Sequence, residues 1–474
     1  MIVDVHCHFF NGDDLPVRGF VRKVGLHSGF GSGLISILLD LIAQGSAPGY
    51  DEDMGRLNAL LAPANGLETV AVEAPTESLD AAADRLLAAL QVQGPQVLGQ
   101  LSAEMDAYDG VPPAAGLEGF SIGSVKRAIR WVALYGRSRI ALAGDYAEST
   151  GGEIGLCTPM LVDLEIGLAD KAKTTVRQQL ELFEKLSRAS MLGVLPRVGG
   201  LQIHPFVGFD PLRELRARHN QAVERPLDVV KDAINRYGFV GVKVYPQMGW
   251  RPSGNQARPG LSAADAATLD QIVDELAAWC DEEQVPITAH CNDSNYADDD
   301  EFGGFGAPEQ WLTVLTKHRG LHLNLGHFGG AHDQPGAYGA ARAIAAGMTD
   351  TYPALHADVG CHRIDQPAVL AGEIAELRRL ADQSTTREVG NRLMFGTDWY
   401  MLAINPKADD FLNTYRDAYT KEFGAPSTEQ FLASNALRFL GFSDPTNKNR
   451  LRLLARYRRW APDCVPLWLE DVAP

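Results

Sequence analysis

The chain opens with Ile2-Val3-Asp4-Val5-His6-Cys7-His8. Branched apolar residues around two histidines two positions apart predict a strand. On a strand, His6 and His8 project together and Cys7 points to the other face. Two imidazoles side by side are half of a metal site, because neutral imidazole suits zinc and similar ions. Met1 runs straight into this segment with no basic region and no cleavage site, so no leader is expected and the strand is expected to be structural.

Working outward, apolar runs of the same kind recur at 68–74, 160–164, 202–208, 240–245, 287–290, 321–326, 355–359 and 393–396. They are rich in Val, Ile and Leu with little alternation, as strands covered on both faces should be. Stretches of helical period lie between them, at 77–91, 175–189, 226–237, 264–283, 308–317, 336–346, 369–382 and 409–423. Strand, helix, strand repeated this often predicts an α/β protein with a parallel sheet. Eight repeats close a (β/α)8 TIM barrel; there are nine candidate strands, and those near Glu68 and Met160 carry the weakest pattern. The expected plan is one barrel domain over 1–442, with insertions near 11–65 and 111–155 in the early βα loops. A helical C-terminal extension, 443–474, packs on its outside.

Composition narrows the function. The 474 residues are 45% hydrophobic and 22% charged, ordinary for a globular protein and unlike a disordered chain, fibre or coiled coil. The formal net charge of −17 repels phosphate backbones, so no nucleic-acid partner is expected. The longest apolar stretch, 34–43, is broken by Asp40 and is too short to span a bilayer, so no membrane partner is expected either. Cys7, Cys157, Cys280, Cys291, Cys361 and Cys464 form no CxxC pair and read as reduced thiols in a cytoplasmic protein.

Chemistry-bearing residues gather where apolar strands stop. His290 closes 285–289, His327 closes 321–326, and Asp398 follows 393–397. In a parallel barrel these ends share one rim, where active sites are built. Each residue alone reads as a cap or a solvated side chain; together they read as one site. Lys243 lies within Gly241-Val242-Lys243-Val244-Tyr245-Pro246, where a buried charge is costly. Such a lysine either snorkels or pairs with a carboxylate, or loses its proton, takes up carbon dioxide and becomes an anionic carbamate able to bridge two metals. The sequence leaves both open.

The order HxH, lysine, His, His, Asp resembles the amidohydrolase superfamily of metal-dependent (β/α)8-barrel hydrolases. The segment Val242–Pro246 is similar to the dihydroorotase strand that carries a carbamylated lysine. The general run of the chain resembles the amidohydrolase-related branch that includes aminocarboxymuconate semialdehyde decarboxylase. That likeness rests on Pro205–Pro211, Gly238–Lys243, Leu393–Asp398 and Ser434–Gly441. The arginine that dihydroorotases carry two residues after the second histidine is replaced here by Phe10.

Two arrangements follow. With two divalent metals, zinc or another transition ion, His6, His8 and Asp398 hold one and His290 and His327 the other, with carbamylated Lys243 between them. With one metal, the resemblance implies His6, His8, His290 and Asp398 as ligands and His327 as acid/base. The metal polarises a carbonyl and acidifies water, and Asp398 takes and returns the proton. The expected reaction is hydrolysis of an amide, cyclic amide, lactone or ester of a small molecule. The alternatives are a non-oxidative decarboxylase and a non-catalytic ligand-binding barrel.

Arg251, beside Gln247 and Trp250, is a candidate for a bidentate bond to a substrate carboxylate, and His362 with Arg363 is placed to help. Asp163 and Glu165 read as salt partners. Asp358 reads equally as a structural carboxylate or a site residue. Asn292, Asp293 and Asn295 read as turn formers or supports, and 298–301 as a solvated acidic loop. His204, His322 and His356 read as structural, and a homodimer is the default assembly.

Overall fold

The computed structural model describes residues 1–23, 47–62, 77–93, 95–108, 122–222, 224–291, 300–330, 339–349, 351–383 and 388–470. Eight strand positions form a closed parallel (β/α)8 barrel. They are β1 (Ile2–Cys7), β2 (Ile154–Pro159), β3 in two pieces (Gln202–Ile203 and Phe206–Gly208), β4 (Gly241–Val244), β5 (Ile287–His290), β6 (Leu323–Gly326), β7 (Leu355–Asp358) and β8 (Leu393–Met394). Each pairs in parallel with its sequence neighbour. Pro205 splits β3 because it has no N–H to give the ladder. The first piece pairs with β2 and the second with β4, while a Met160–Phe206 bridge keeps the two in one ring.

The ring closes between its first and last strands. Val5 N–H donates to Phe395 O (3.2 Å), Asp398 N–H to His6 O (2.6 Å) and His8 N–H to Trp399 O (2.9 Å). The strand interiors are buried on both faces, as their unalternated sequences require. The intervening helices start on the expected signals; Val176–Met191, for instance, opens on a capping box of Thr175 and Gln178.

Two expectations are corrected. The strand expected at 160–164 lies earlier, at Ile154–Pro159. Gly151, Gly152 and Gly155 hid it by diluting the apolar run. The eight positions are filled without 68–74, which lies outside the described residues. Among the described residues the segment between β1 and β2 is helical. It includes Tyr50–Leu61, Leu79–Gln93, Pro95–Tyr108, Ile122–Tyr135 and Arg139–Ser149. Fully buried Arg139 ties its parts together, bonding Asp14 (2.6 Å), Asp53 (3.0 Å) and the Pro48 carbonyl (2.9 Å), and reaches Thr174 (3.1 Å) beyond β2.

The helix Lys448–Trp460 covers the N-terminal ends of the strands. Its Leu453, Leu454 and Tyr457 join Val3, Val5, Phe206, Val240 and Met394 in one buried cluster. Tyr457 also bonds His204 (3.1 Å), so this histidine is structural, as expected. No helix among the described residues is long and apolar enough to cross a membrane.

Two outcomes follow from this packing. Tyr457→Ala should lower stability by about 3–5 kcal/mol in denaturant titrations, since it empties a buried aromatic site. Burial also lowers the pKa of His204 and of His356 to about 3. An imidazole with a lowered folded pKa adds stability that is full above its ordinary value of 6.5 and is lost as pH falls towards 3. The unfolding free energy from denaturant titrations should therefore fall progressively below pH 6.5, by about 1.4 kcal/mol per pH unit for each such histidine.

Candidate metal centre

The site begins with an irregularity in β1. Asp4 sits opposite Cys157 and Cys7 opposite Pro159, so three steps on β1 match two on β2. One extra residue in a strand is a bulge, which re-aims side chains. Asp4 and His6, two apart, consequently serve different partners. The Asp4 carboxylate accepts from Tyr146 OH (2.7 Å), Thr397 Oγ1 (2.6 Å), Thr397 N–H (3.1 Å) and His6 N–H (3.0 Å). The His6 ring faces the residues of the other strand ends. Gly396 leaves it room, since a Cβ there would lie 2.8 Å from His6 Cβ.

Hydrogen counting fixes which ring nitrogens are free. His6 Nδ1 donates to Asp358 (3.0 Å), so its Nε2 carries the lone pair. That Nε2 is 3.1 Å from Lys243 Nζ and 3.7 Å from Asp398 Oδ1. His8 Nδ1 donates to the Met160 carbonyl (2.8 Å), and its Nε2 lies 3.2 Å from Asp398 Oδ1. Burial holds His8 below its ordinary pKa, hence neutral. Asp398 is ionised: burial pushes its acid up, but His8 and the neighbouring imidazoles outweigh it and bring it down to about 2. A ring nitrogen and a carboxylate oxygen thus face each other inside the site, an arrangement that a cation fits.

His290 and His327 form the opposite wall. His327 Nδ1 donates to the Gly360 carbonyl (2.9 Å), so its Nε2 accepts from His290 Nδ1 (3.1 Å). His290 Nε2 is then a buried lone pair without a partner among the described residues. Burial lowers both pKa values, His290 well below the usual range and His327 to about 3.

Two trios of donors have ligand atoms within 4.8 Å of one another: His6, His8 and Asp398, and His6, His327 and Asp358. They differ in what already occupies them. Asp358 takes hydrogens from His6, Asn324 Nδ2 (2.7 Å), His327 N–H (3.1 Å) and Gly360 N–H (2.9 Å), so protein donors satisfy it. The trio of His6, His8 and Asp398 has acceptors in surplus and fits a divalent cation. Asp358 instead orients the His6 ring from behind. It ends strand β7 as His290 ends β5, and that position was the sequence signal for it.

Lys243 does not snorkel. It is buried, its pKa brought down to about 8 by burial against the pull of Asp398 and Asp358, and its Nζ lies 4.7 Å over the Tyr245 ring. The substrate candidates fare differently. His362 is fully buried behind the rim, with Nε2 on the His327 carbonyl (3.0 Å) and Nδ1 on Glu373. The Arg251 guanidinium lies 4.2 Å over the Phe305 ring rather than beside the histidines. Arg363 pairs with Asp365 (2.8 Å), and Asp163 pairs with Arg213 (2.6 Å) as the salt-partner reading expects. Residues 292–299, with Asn292, Asp293 and Asn295, lie outside the described residues.

A parallel (β/α)8 barrel with a buried His/Asp cluster at the C-terminal ends of its strands is the class that fold and site define. A family model described as Amidohydrolase matches residues 217–442. That span carries Lys243, His290, His327, Asp358 and Asp398 and leaves His6 and His8 outside it. No curated protein matches the chain. One similar solved structure, from Pseudomonas putida, bears the provisional name 2-pyrone-4,6-dicarboxylic acid hydrolase. It is 15% identical, and the alignment covers 63% of this chain and 86% of that one with a TM-score of 0.37. Another, a zinc-bound amidohydrolase from Burkholderia multivorans, is 12% identical over 63% of this chain and 87% of that one, with a TM-score of 0.36.

Replacing Asp358 by Asn keeps the size of the side chain but weakens its hold on His6. Calorimetric titration of the full chain with zinc should show affinity reduced about 10- to 100-fold at unchanged stoichiometry.

Proposed function

We propose that this barrel is a metal-dependent hydrolase that cleaves an amide, cyclic amide, lactone or ester bond of a small molecule. The observation that carries the reading is the convergence of His6, His8 and Asp398, whose ligand atoms lie within 4.8 Å of one another, with His8 Nε2 3.2 Å from Asp398 Oδ1. His6, His8 and Asp398 would hold the ion, and His290 Nε2 is a further free donor. A zinc-like ion there supplies a Lewis acid for a substrate carbonyl and lowers the pKa of water.

The chain's own groups do the rest. Asp398, ionised at neutral pH, takes the proton of the attacking water on its carboxylate and returns it to the leaving group. His327, neutral and fixed by its Nδ1–H on Gly360, accepts the His290 Nδ1–H on its Nε2 and so turns His290 Nε2 to the site as the open basic nitrogen. Lys243 sets its nitrogen against His6 Nε2 and offsets the charge of Asp398 and Asp358. Uptake of carbon dioxide on Lys243, eased by its lowered basicity, would make it an anionic ligand at the same place. Six free thiols support a reduced, cytoplasmic setting.

The test is metal analysis and turnover on the same protein. Loaded with zinc, manganese or iron, the chain should retain stoichiometric metal and hydrolyse a member of a panel of amides, lactones and esters. His6→Ala should lose the metal. Asp398→Asn should lose about 100- to 10,000-fold in kcat. Release of carbon dioxide from carboxylic acids without hydrolysis would replace this reading by a decarboxylase. A folded chain that takes up no metal would end it.

A further inference from the structure

Three buried polar groups behind the rim take no part in this scheme: His362, Glu373 and Tyr415. They form a chain of bonds that ends on His327. His362 Nε2 lies 3.0 Å from the His327 carbonyl, His362 Nδ1 bonds Glu373 Oε1, and Tyr415 OH donates to that same oxygen (2.8 Å). The carbonyl only accepts, so His362 Nε2 carries hydrogen and donates to it. His362 and Glu373 are a directly bonded pair, both buried. Glu373 belongs to the helix Pro367–Gln383 and Tyr415 to Phe411–Phe423, so two outer helices reach the rim through one imidazole.

What this chain of bonds grips is strained. His327 and Phe328 have φ of 62° and 46°, the left-handed region that residues with a Cβ avoid. Each such residue costs about 1–3 kcal/mol and persists only where its surroundings over-determine it. Besides the ring bond to His290, four bonds do so at His327. Its N–H goes to Asp358 and its Nδ1–H to the Gly360 carbonyl, both supplied by the end of β7. Two more bonds fall on its carbonyl, from Gly330 N–H (2.9 Å) within the turn and from His362 Nε2 (3.0 Å), and the second links the turn to Glu373 and Tyr415 on the outer helices.

We propose that Glu373, acting through His362, is a positioning residue: it clamps the His327 carbonyl and so keeps the His327 ring against His290. The effect on catalysis rests on the hydrolase reading; the clamp itself rests on the geometry alone. Glutamine at 373 can still bond His362 Nδ1 through its amide, leaving Nε2–H for the carbonyl, whereas leucine cannot.

The test compares Glu373→Gln, Glu373→Leu and His362→Phe in the full chain, by crystal structure, zinc calorimetry and turnover. Glu373→Leu and His362→Phe should bind zinc at unchanged stoichiometry, since the His6, His8 and Asp398 trio is untouched. In both, His327 should leave the left-handed region and its bond to His290 should open. The kcat should fall about 10- to 100-fold with KM unchanged, and Glu373→Gln should restore geometry and rate. A folded His362→Phe with His327 in place, or a Glu373→Gln no better than Glu373→Leu, would overturn the clamp. If the apolar variants fail to fold, Tyr415→Phe, which removes one bond from Glu373, should shift His327 in the same sense, and an unmoved His327 would overturn it. A wild-type chain that binds no zinc would sink the hydrolase reading while leaving the structural comparison decisive for the clamp.

Discussion

Closure of the barrel between its first and last strands is the constraint on which the site depends. His6 and Asp398 are far apart in sequence, and a direct backbone bond, Asp398 N–H to His6 O, makes them neighbours. Asp4 reinforces that seam. Its carboxylate gathers four donors from three places: the helix Arg139–Ser149, the end of β8 and its own strand. Burial raises its acid to about 6, so the seam holds a carboxylate that the interior makes unusually easy to protonate. Because all eight strands run in parallel, their C-terminal ends meet on one side, and the seam sets where β1 enters that circle.

Much of this was legible in the sequence. The repeated apolar runs gave the barrel, and the polar residues at their ends gave His6, His8, His290, His327 and Asp398. What escaped was whatever depends on which atom a side chain uses. His362 stands at the right height on the rim, but both its nitrogens are spent inside the protein. Asp358 stands at the end of a strand, but its oxygens are filled by protein donors and its role passes to His6. The bulge in β1 could not be read either, because alternation assumes an unbroken ladder and the extra residue appears only when β2 lies beside it. β2 itself was displaced in the reading by glycines that carry no apolar signal.

The polar interior at the rim is best understood as a surplus of lone pairs. His6, His8 and His327 each commit their N–H outward, to Asp358, Met160 and Gly360, and turn the other nitrogen inward. Burial keeps His8, His290 and His327 neutral, so none of these supplies the missing positive charge. Lys243 partly fills that role from β4. The family match covers β4 through β8, whereas His6 and His8 come from β1. The cluster therefore belongs to neither part of the sequence alone and exists only in the closed ring.

The seam between β1 and β8 also governs how this chain is made. On a ribosome adding about 5–20 residues per second, β1 must wait roughly 20–80 s for its last partner to emerge. Until then the half-built sheet has two open edges, and the histidine pair lies on one of them. Newly made chains are thus exposed to mispairing and to stray metal capture at the very strand that later becomes the most enclosed, and chaperone shielding during that interval would act on this edge.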